Sequence, residues 1–273
     1  MARSKIDSLD KFIQQVEKIT TRWSKPKKSA AIAPWFRGIP DVAYELSPGL
    51  YRAKEEDPVE QENEIRREFQ LRAYPFLNEA LYPPRTSWDW YFLMQHFGLK
   101  TRMLDWTESA LVALYFATGE SRWRAKIRTK KETRRDAAVW VLNPWLFNMR
   151  HGVNEERIPS FEDPIMRGYL ADYFLPSESI EWPKKPLAFE PPHNSLRLAA
   201  QRGKFTLHGR DSKSLDHVSK DPNVMVRLVI DGKEREWVRQ QLGRAGITEG
   251  TMYPGLEGLA RDIDDYLSDA LVP

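Results

Sequence analysis

Two short segments hold most of the side chains that could do chemistry. The first is Trp35-Phe36-Arg37-Gly38, in which an arginine stands between aromatic residues and a glycine on a predicted strand. A guanidinium stays charged and presents a planar fork of donors, so it suits a phosphate or a carboxylate. Gly38 lacks a side chain and permits close approach of the backbone. The segment predicts an anion-binding point, and an internal ion pair with one of the chain's acids is the alternative interpretation.

The second segment runs from Gln95 to Thr107 and contains a histidine, an arginine, an aspartate and a tryptophan. It spans a predicted helix end, a tight turn and the start of the next helix, where a rigid scaffold commonly positions functional groups. Asp105 could equally serve as a helix N-cap, and His96 could be a hydrogen-bonded core residue. The two segments together suit a flat anionic ligand such as a nucleotide. Their arginines could bind its phosphates and their tryptophans could stack on its rings, namely Arg37, Arg102, Trp35 and Trp106.

Several familiar chemistries have no signature in this chain. There is no cysteine, which excludes disulfides and thiolate chemistry. Neither glycine-rich phosphate loop occurs, and there is no nucleophile elbow. The five histidines lack the paired spacing of metal ligands, so no metal is expected. Nuclease-like cleavage by His96 with Arg102 and Asp105 stays open, although the sequence offers it no clear acid–base partner.

Charge and hydropathy limit the partners and the compartment. The formal net charge is +3, too small for a general argument for nucleic acid. The stretch Arg122–Arg135 is locally basic, and it is either a solvated loop or a patch that contacts nucleic-acid phosphates. The N-terminal residues lack an apolar signal region, and no apolar run is long enough to span a bilayer. A cytoplasmic protein without membrane segments is therefore expected.

Helices and strands of uneven order must position the two segments. Helices are predicted over residues 8–22, 58–74, 87–97, 108–118, 235–242 and 256–271. Strands are predicted over residues 33–38, 137–142 and 224–230, with one or two more between 195 and 207. Residues 99–104 are predicted as a connector, and Asp105 or Thr107 as the cap of the fourth helix. This order favours a single α+β domain over residues 1–273, with a helix-rich N-terminal half and helices flanking a mixed or antiparallel central sheet.

Five stretches together resemble the FRG domain family, which is named for a Phe-Arg-Gly motif. They are W-F-R-G-I at 35–39, Q-H-F-G-L-K-T-R-M-L-D-W-T at 95–107 with the apolar helix A-L-V-A-L-Y-F-A-T after it, A-V-W-V-L-N-P at 138–144, R-L-A-A-Q-R-G-K-F-T-L-H-G at 197–209, and the segment from G-I-T to M-Y-P-G-L-E-G at 246–258. The resemblance covers roughly residues 30–262. It implies a family found largely in bacteria and their phages.

The resemblance also implies a divergent relative of the ADP-ribosyltransferase fold, because those enzymes share an early strand arginine, a central polar strand and a late acidic residue. Arg37 would then hold the pyrophosphate or the nicotinamide-side ribose of NAD. Gln201 and Thr206 would border the nicotinamide pocket. Glu257 would be the late carboxylate that stabilises an oxocarbenium-like ribose, and Asp105 competes with it for this acidic role.

The leading expectation is an ADP-ribosyltransferase or NAD glycohydrolase that consumes NAD as its substrate. The acceptor would be a protein or a nucleic acid, in a toxin or phage-defence setting. The alternative is a non-catalytic nucleotide- or nucleic-acid-binding module that uses the arginines for phosphates and the tryptophans for stacking. The expected catalytic residues are Arg37, Asp105 and Glu257. The expected substrate-binding residues are Trp35, Gly38, Gln95, His96, Thr101, Arg102, Trp106, Gln201 and Thr206.

Overall fold

The computed structural model describes residues 5–24, 33–53, 58–77, 84–119, 135–153, 157–170 and 183–270. The strands in these ranges are β1 (Trp35–Ile39), β2 (Met103–Thr107), β3 (Ala137–Leu142), β4 (Leu187–Phe189), β5 (Gly203–Leu207) and β6 (Met225–Ile230). The α-helices are α1 (Leu9–Ser24), α2 (Pro58–Ala73), α3 (Ser87–His96), α4 (Ala110–Thr118), α5 (Pro144–Arg150), α6 (Leu196–Ala200), α7 (Leu215–Val218), α8 (Arg235–Arg244), α9 (Glu249–Met252) and α10 (Leu256–Ala270). None of these helices is both long and apolar enough to cross a membrane.

The six strands form one sheet in the order β4-β5-β2-β1-β3-β6, and every neighbouring pair is antiparallel. The expected α+β class is therefore confirmed, with an antiparallel sheet. β1 pairs with β3 along its whole length, from Trp35↔Leu142 to Ile39↔Ala138. With β2 it shares the single register pair Phe36↔Thr107. The two middle strands thus meet only where β1 begins and β2 ends.

Apolar layers cover both faces of the sheet, because successive side chains of a strand point to opposite sides. Phe36 contributes to a layer with Phe12 of α1 and Leu242 of α8. The neighbouring Trp35 contributes to the opposite layer, which also contains Phe147 of α5. A third apolar cluster joins α3 to the β4–β5 edge. The sheet is therefore a rigid platform whose middle strands are packed from both sides.

The helix α4 packs on the sheet, and six of its nine residues are buried. A Cβ atom built on Gly38 would lie 1.9 Å from the Ala113 carbonyl oxygen and 2.6 Å from the Ala117 nitrogen. At the C-terminal end of the helix, Arg235 donates to the Ala117 carbonyl at 3.1 Å and Arg239 to the Gly119 carbonyl at 2.8 Å. These cations neutralise the negative end of the helix dipole and hold α4 in place.

The segment 103–107 differs from its prediction as a connector followed by a helix cap. It forms β2, which pairs with β5 from Met103↔Leu207 to Thr107↔Gly203. Asp105 consequently lies in the middle of a strand, and Ser109 caps α4 by accepting from Val112 N. Pairing with two neighbouring strands outweighs the weak local signal of an aspartate near a helix start.

Two further local predictions are wrong. Residues 196–200, predicted as strand, form the short helix α6, because the Ser195 hydroxyl accepts from Leu198 N at 3.1 Å and caps it. The spacing of Asp231 and Glu234 also predicts a capping box at the start of α8, and this box does not form. The Asp231 carboxylate instead accepts from Lys233 N at 2.9 Å and closes a tight turn before α8.

We expect Gly38→Ala to destabilise the protein by about 1–3 kcal/mol, because the added methyl group overlaps the backbone of α4. Chemical denaturation would measure the free energy of unfolding. Gly243→Ala is a matched control on α8, where a Cβ meets nothing within 4 Å. It should be neutral or stabilising by up to about 1 kcal/mol. Equal stability of the two variants would show that α4 does not lie directly on Gly38.

His208 gives the fold a defined sensitivity to acid. It follows β5, is fully buried, and lies beside the Tyr51 ring with centroids 5.7 Å apart. Burial lowers the pKa of His208 to about 3. Between that pH and about 6.5 the unfolded chain binds a proton that the folded chain does not, so acid removes stability across this window.

We expect the free energy of unfolding of the wild type to fall more steeply than that of His208→Gln below pH 6.5. The excess slope should reach up to about 1.4 kcal/mol per pH unit, because only the wild type has this group to protonate on unfolding. Urea titrations at pH 7, 6, 5 and 4 would measure it. Parallel curves for the two proteins would rule out a neutral buried His208.

Candidate functional site

A cleft of about 1200 Å³ opens beside the middle strands, between the end of α3, the side of α4 and the start of α6. Its charged lining residues are mostly cationic. The basic ones are Arg37, Arg52, Arg85, Lys100 and Arg197, and the acidic ones are Asp89 and Asp105. Asp89 is engaged in the capping box of α3, where it accepts from Thr86 N at 2.8 Å. The cleft therefore favours anions, with Asp105 as its remaining carboxylate.

Arg37 of β1 reaches across to β2. Its Nη1 atom donates to the Asp105 carbonyl oxygen and lies 3.6 Å from Asp105 Oδ2. Its Nε atom is buried and has no hydrogen-bond partner in the described part of the chain. Burial lowers the pKa of the Arg37 guanidinium, while the charge of Asp105 acts in the opposite direction. The Arg37 side chain is 18% exposed and that of Asp105 is 61% exposed, so the carboxylate faces solvent.

A chain of hydrogen bonds orients the Asp105 carboxylate. Met103 N donates to Thr101 Oγ1 at 3.1 Å, and the Thr101 hydroxyl donates to Gln95 Oε1. A hydroxyl has one proton, so this contact turns the carbonyl of Gln95 toward Thr101. The Gln95 amide nitrogen then donates to Asp105 Oδ1 at 2.9 Å. The network therefore fixes the orientation of the Asp105 side chain at the cleft wall.

The α6 end of the cleft contains a second cation beside an aromatic ring. The Arg197 guanidinium lies 4.9 Å from the Tyr253 ring centroid. Burial and then the charge of Arg197 lower the pKa of His96, which keeps this imidazole neutral at pH 7. Gln201 lines the same end, where its Nε2 atom donates to the Met252 carbonyl at 3.0 Å. This end combines a planar cation, an aromatic ring and an amide.

Residues 33–126 match the family model of the FRG domain. Over these residues the chain is similar to the FRG domain. The match begins two residues before β1 and continues past the end of α4. It includes the whole segment from Gln95 to Thr107. The stretches at 197–209 and 246–258 lie outside the match. No curated protein and no solved structure matches the chain.

The fold brings eight of the expected residues to one cleft. They are Arg37, Gly38, Gln95, His96, Thr101, Asp105, Trp106 and Gln201. Gln95 and Thr101 act there on Asp105, through the hydrogen bonds described above, rather than standing alone. Trp106 also forms part of the wall, but it is 3% exposed and its indole nitrogen donates to Thr206 Oγ1 at 2.9 Å. The Trp106 ring is therefore too buried for a nucleotide base to stack on it.

Arg102 has a different place from the one expected. It is fully buried, its Nε atom lies 2.6 Å from Glu62 Oε2, and its Nη2 atom donates to the Tyr169 carbonyl at 2.6 Å. The Tyr91 hydroxyl donates to the same Glu62 carboxylate. Arg102 thus joins α2, α3 and residues 164–169 beneath the cleft and does not face a ligand. Its partner stands 40 positions earlier, which no local pattern reveals.

Three more expected residues lie outside the cleft lining. Trp35 is buried in the layer that contains Phe147, and Thr206 is fully buried opposite Leu104 on β2. Glu257 lies on α10 with its side chain 82% exposed, and it is paired with Arg261. The carboxylate that lies beside Arg37 in the cleft is therefore that of Asp105, and Glu257 lies outside the cleft lining. Of the basic stretch 122–135 only Arg135 is within the described residues, where it pairs with Asp41 at 2.7 Å.

Four cleft residues were not expected to bind a ligand. They are Arg52, Arg85, Arg197 and Tyr253. Arg197 and Tyr253 stand in two of the stretches that resemble the FRG family, so those stretches carried a usable signal. Arg52 and Arg85 lie in segments without periodicity or a motif, and only the fold brings them to the cleft.

We expect Glu62→Gln to destabilise the protein by about 3–5 kcal/mol, because it removes the charge that Arg102 pairs with in the buried interior. Thermal and urea unfolding would measure the loss. The double variant Glu62→Met with Arg102→Met is the control, and it should recover most of the stability by replacing both charges with apolar side chains. A single variant as stable as the wild type would place Arg102 in solvent, where a ligand could reach it.

Proposed function

We propose that this chain binds NAD in the cleft and breaks its nicotinamide–ribose bond, as an ADP-ribosyltransferase or NAD glycohydrolase. One observation carries the proposal. The Asp105 carboxyl group and the Arg37 guanidinium lie side by side in the wall of a cationic cleft. A nucleotide offers both groups a partner, since it joins phosphates to a ribose whose reacting carbon becomes positive.

The size and lining of the cleft support a dinucleotide. Pockets for drug-sized ligands usually measure about 300–1,000 Å³, and this one reaches about 1200 Å³. Five cationic side chains face two acidic ones, and one of those acids is used by a helix cap. Phe97 adds a ring that is 68% exposed, and Tyr253 adds one beside Arg197. Phosphates and aromatic bases find complementary groups along the same cleft.

The chemistry assigns separate tasks to the two central residues. The bond from ribose C1′ to the nicotinamide nitrogen breaks, and its electron pair leaves with nicotinamide. The ribosyl cation that develops is stabilised by the Asp105 carboxylate, which Gln95 and Arg37 hold in place. Water or an acceptor nucleophile then bonds to C1′ and releases a proton. Arg37 fixes the neighbouring phosphate, and Gln201 borders the nicotinamide.

The proposal gives the acidic role to Asp105 rather than to Glu257. The resemblance to ADP-ribosyltransferases leads one to look for a carboxylate late in the chain, but Glu257 is outside the cleft lining and is paired with Arg261. The acceptor of such an activity would be a protein or a nucleic acid, and its biological role would be in toxicity or phage defence.

We expect Asp105→Asn to slow nicotinamide release by about 10²-fold or more, because it removes the charge that stabilises the ribosyl cation. Arg37→Lys should raise the Kd for NAD by about tenfold, since lysine keeps the charge but loses the planar fork. Release of nicotinamide from labelled NAD, followed by chromatography, measures the rate, and isothermal titration calorimetry measures the Kd. Asp10→Asn on the exposed side of α1 is the matched control and should leave the rate unchanged.

Two results would count against this function. If the wild type at high concentration neither releases nicotinamide nor labels protein or nucleic acid, the catalytic proposal fails. If NAD still binds under those conditions, and Arg37→Lys weakens the binding, the cleft belongs to a nucleotide-binding module without turnover. Wild-type rates in Asp105→Asn would remove Asp105 from the chemistry.

A further inference from the structure

We infer that Arg37, Arg52 and Lys100 form a diphosphate subsite at one end of the cleft. The inference rests on the proposed nucleotide binding and narrows the ligand to a class, namely nucleotides that carry two linked phosphates. All three side chains line the cleft. Neither Arg52 nor Lys100 is among the residues that the sequence predicts to bind a ligand.

Arg52 is held in a fixed orientation by its own loop. It lies in the 3₁₀ helix Tyr51–Ala53, where its backbone nitrogen donates to the Pro48 carbonyl at 3.2 Å. Its side-chain Nε atom donates to the Ser47 carbonyl at 2.9 Å. The two terminal nitrogens make no hydrogen bond to any residue that the structure describes. The guanidinium is therefore anchored on one side and leaves its fork available on the other.

Lys100 is brought to the same place by the turn after α3. Leu50 N donates to the Thr101 carbonyl at 3.3 Å, which joins the loop of Arg52 to the segment of Lys100. Lys100 Cγ lies 3.7 Å from where a Cβ atom on Gly49 would stand, so the glycine leaves room for the lysine stem. Lys100 is exposed and forms no ion pair within the described ranges. It adds a third positive charge to those of the Arg37 and Arg52 guanidinium groups.

Arg37 faces these cations with too few acids to balance them. Burial lowers the pKa of the Arg37 guanidinium most, and the neighbouring charge of Arg52 lowers it further. Asp105 is the acid paired with Arg37, and Arg52 and Lys100 line the same cleft without an acidic partner in the described residues. The buried Arg37 Nε atom adds a donor without a partner in the described chain. An anion with two charges would relieve the repulsion and accept from both forks.

A diphosphate has this charge and this spread of acceptors. In NAD, ADP-ribose and ADP two phosphates are joined through one oxygen, so adjacent guanidinium groups can each take one. A nucleoside such as nicotinamide riboside lacks phosphates and gains nothing from Arg52 or Lys100. The subsite therefore separates nucleotides that carry two linked phosphates from nucleosides, independently of the bond that is broken.

We expect Arg52→Ala to raise the Kd for inorganic pyrophosphate and for ADP-ribose by about 10- to 100-fold, since it removes charged hydrogen bonds. Lys100→Ala should raise both by a smaller factor, and both changes should shrink as salt increases. The Kd for nicotinamide riboside should stay the same. Isothermal titration calorimetry of the full chain measures all three. Arg210→Ala, an exposed arginine outside the cleft lining, is the matched control.

The outcomes separate this inference from the proposed function. Turnover of NAD with unchanged pyrophosphate and ADP-ribose binding in Arg52→Ala and Lys100→Ala would overturn the subsite and leave the activity standing. An equal loss of affinity for nicotinamide riboside would also overturn it, because the effect would then be general. Weakened pyrophosphate binding in a chain that never releases nicotinamide would support the subsite and reject the activity. Lys100 has no hydrogen bond in the described structure, so its variant guards against a folding defect in Arg52→Ala.

Discussion

The contact between the backbone of α4 and Gly38 determines how the rest of this molecule is arranged. With Ala113 and Ala117 packed against the glycine, the helix lies lower on the sheet than any side chain would allow. The arginines of α8 hold the C-terminal end of the helix, and the apolar layer of Phe36 forms around it. The cleft opens along the side of α4, so this part of its wall is set by backbone packing.

The three residues that give the FRG family its name have distinct physical tasks here. Phe36 packs in the apolar layer on the α4 side of the sheet. Gly38 lets the helix approach, and Arg37 between them reaches β2 and the cleft. A strand alternates its side chains, so a phenylalanine and a glycine at i and i+2 serve the same face while the residue between them is free for another role. The motif is thus a packing device with one functional residue inside it.

The sequence allowed the fold class to be predicted, along with most helices and the strands around Phe36, Val139 and Leu228, because hydrophobic periodicity is a local property. The site was only partly predictable. Arg37, Asp105, Gln95 and Gln201 do meet at one cleft, but Arg102 looked equally suited to a ligand. Whether an arginine binds a ligand or a buried acid depends on partners far away in the chain, and Glu62 stands on a helix whose polar sequence gives no hint of burial. Glu257 also looked suited to the site, because nothing in the local sequence shows that α10 places its side chain in solvent and outside the cleft lining.

The single register pair between β1 and β2 has a consequence for how binding and folding are linked. It divides the sheet into two three-stranded units, β4-β5-β2 and β1-β3-β6, that meet at Phe36↔Thr107. Arg37 belongs to one unit and Asp105 to the other, so any ligand held by both would fasten the units together across the seam. Amide hydrogens along that seam would then exchange more slowly in the complex, and the midpoint of unfolding would rise with ligand concentration. A molecule bound in the cleft would thus hold β1 and β2 together, although the two strands share only one register pair.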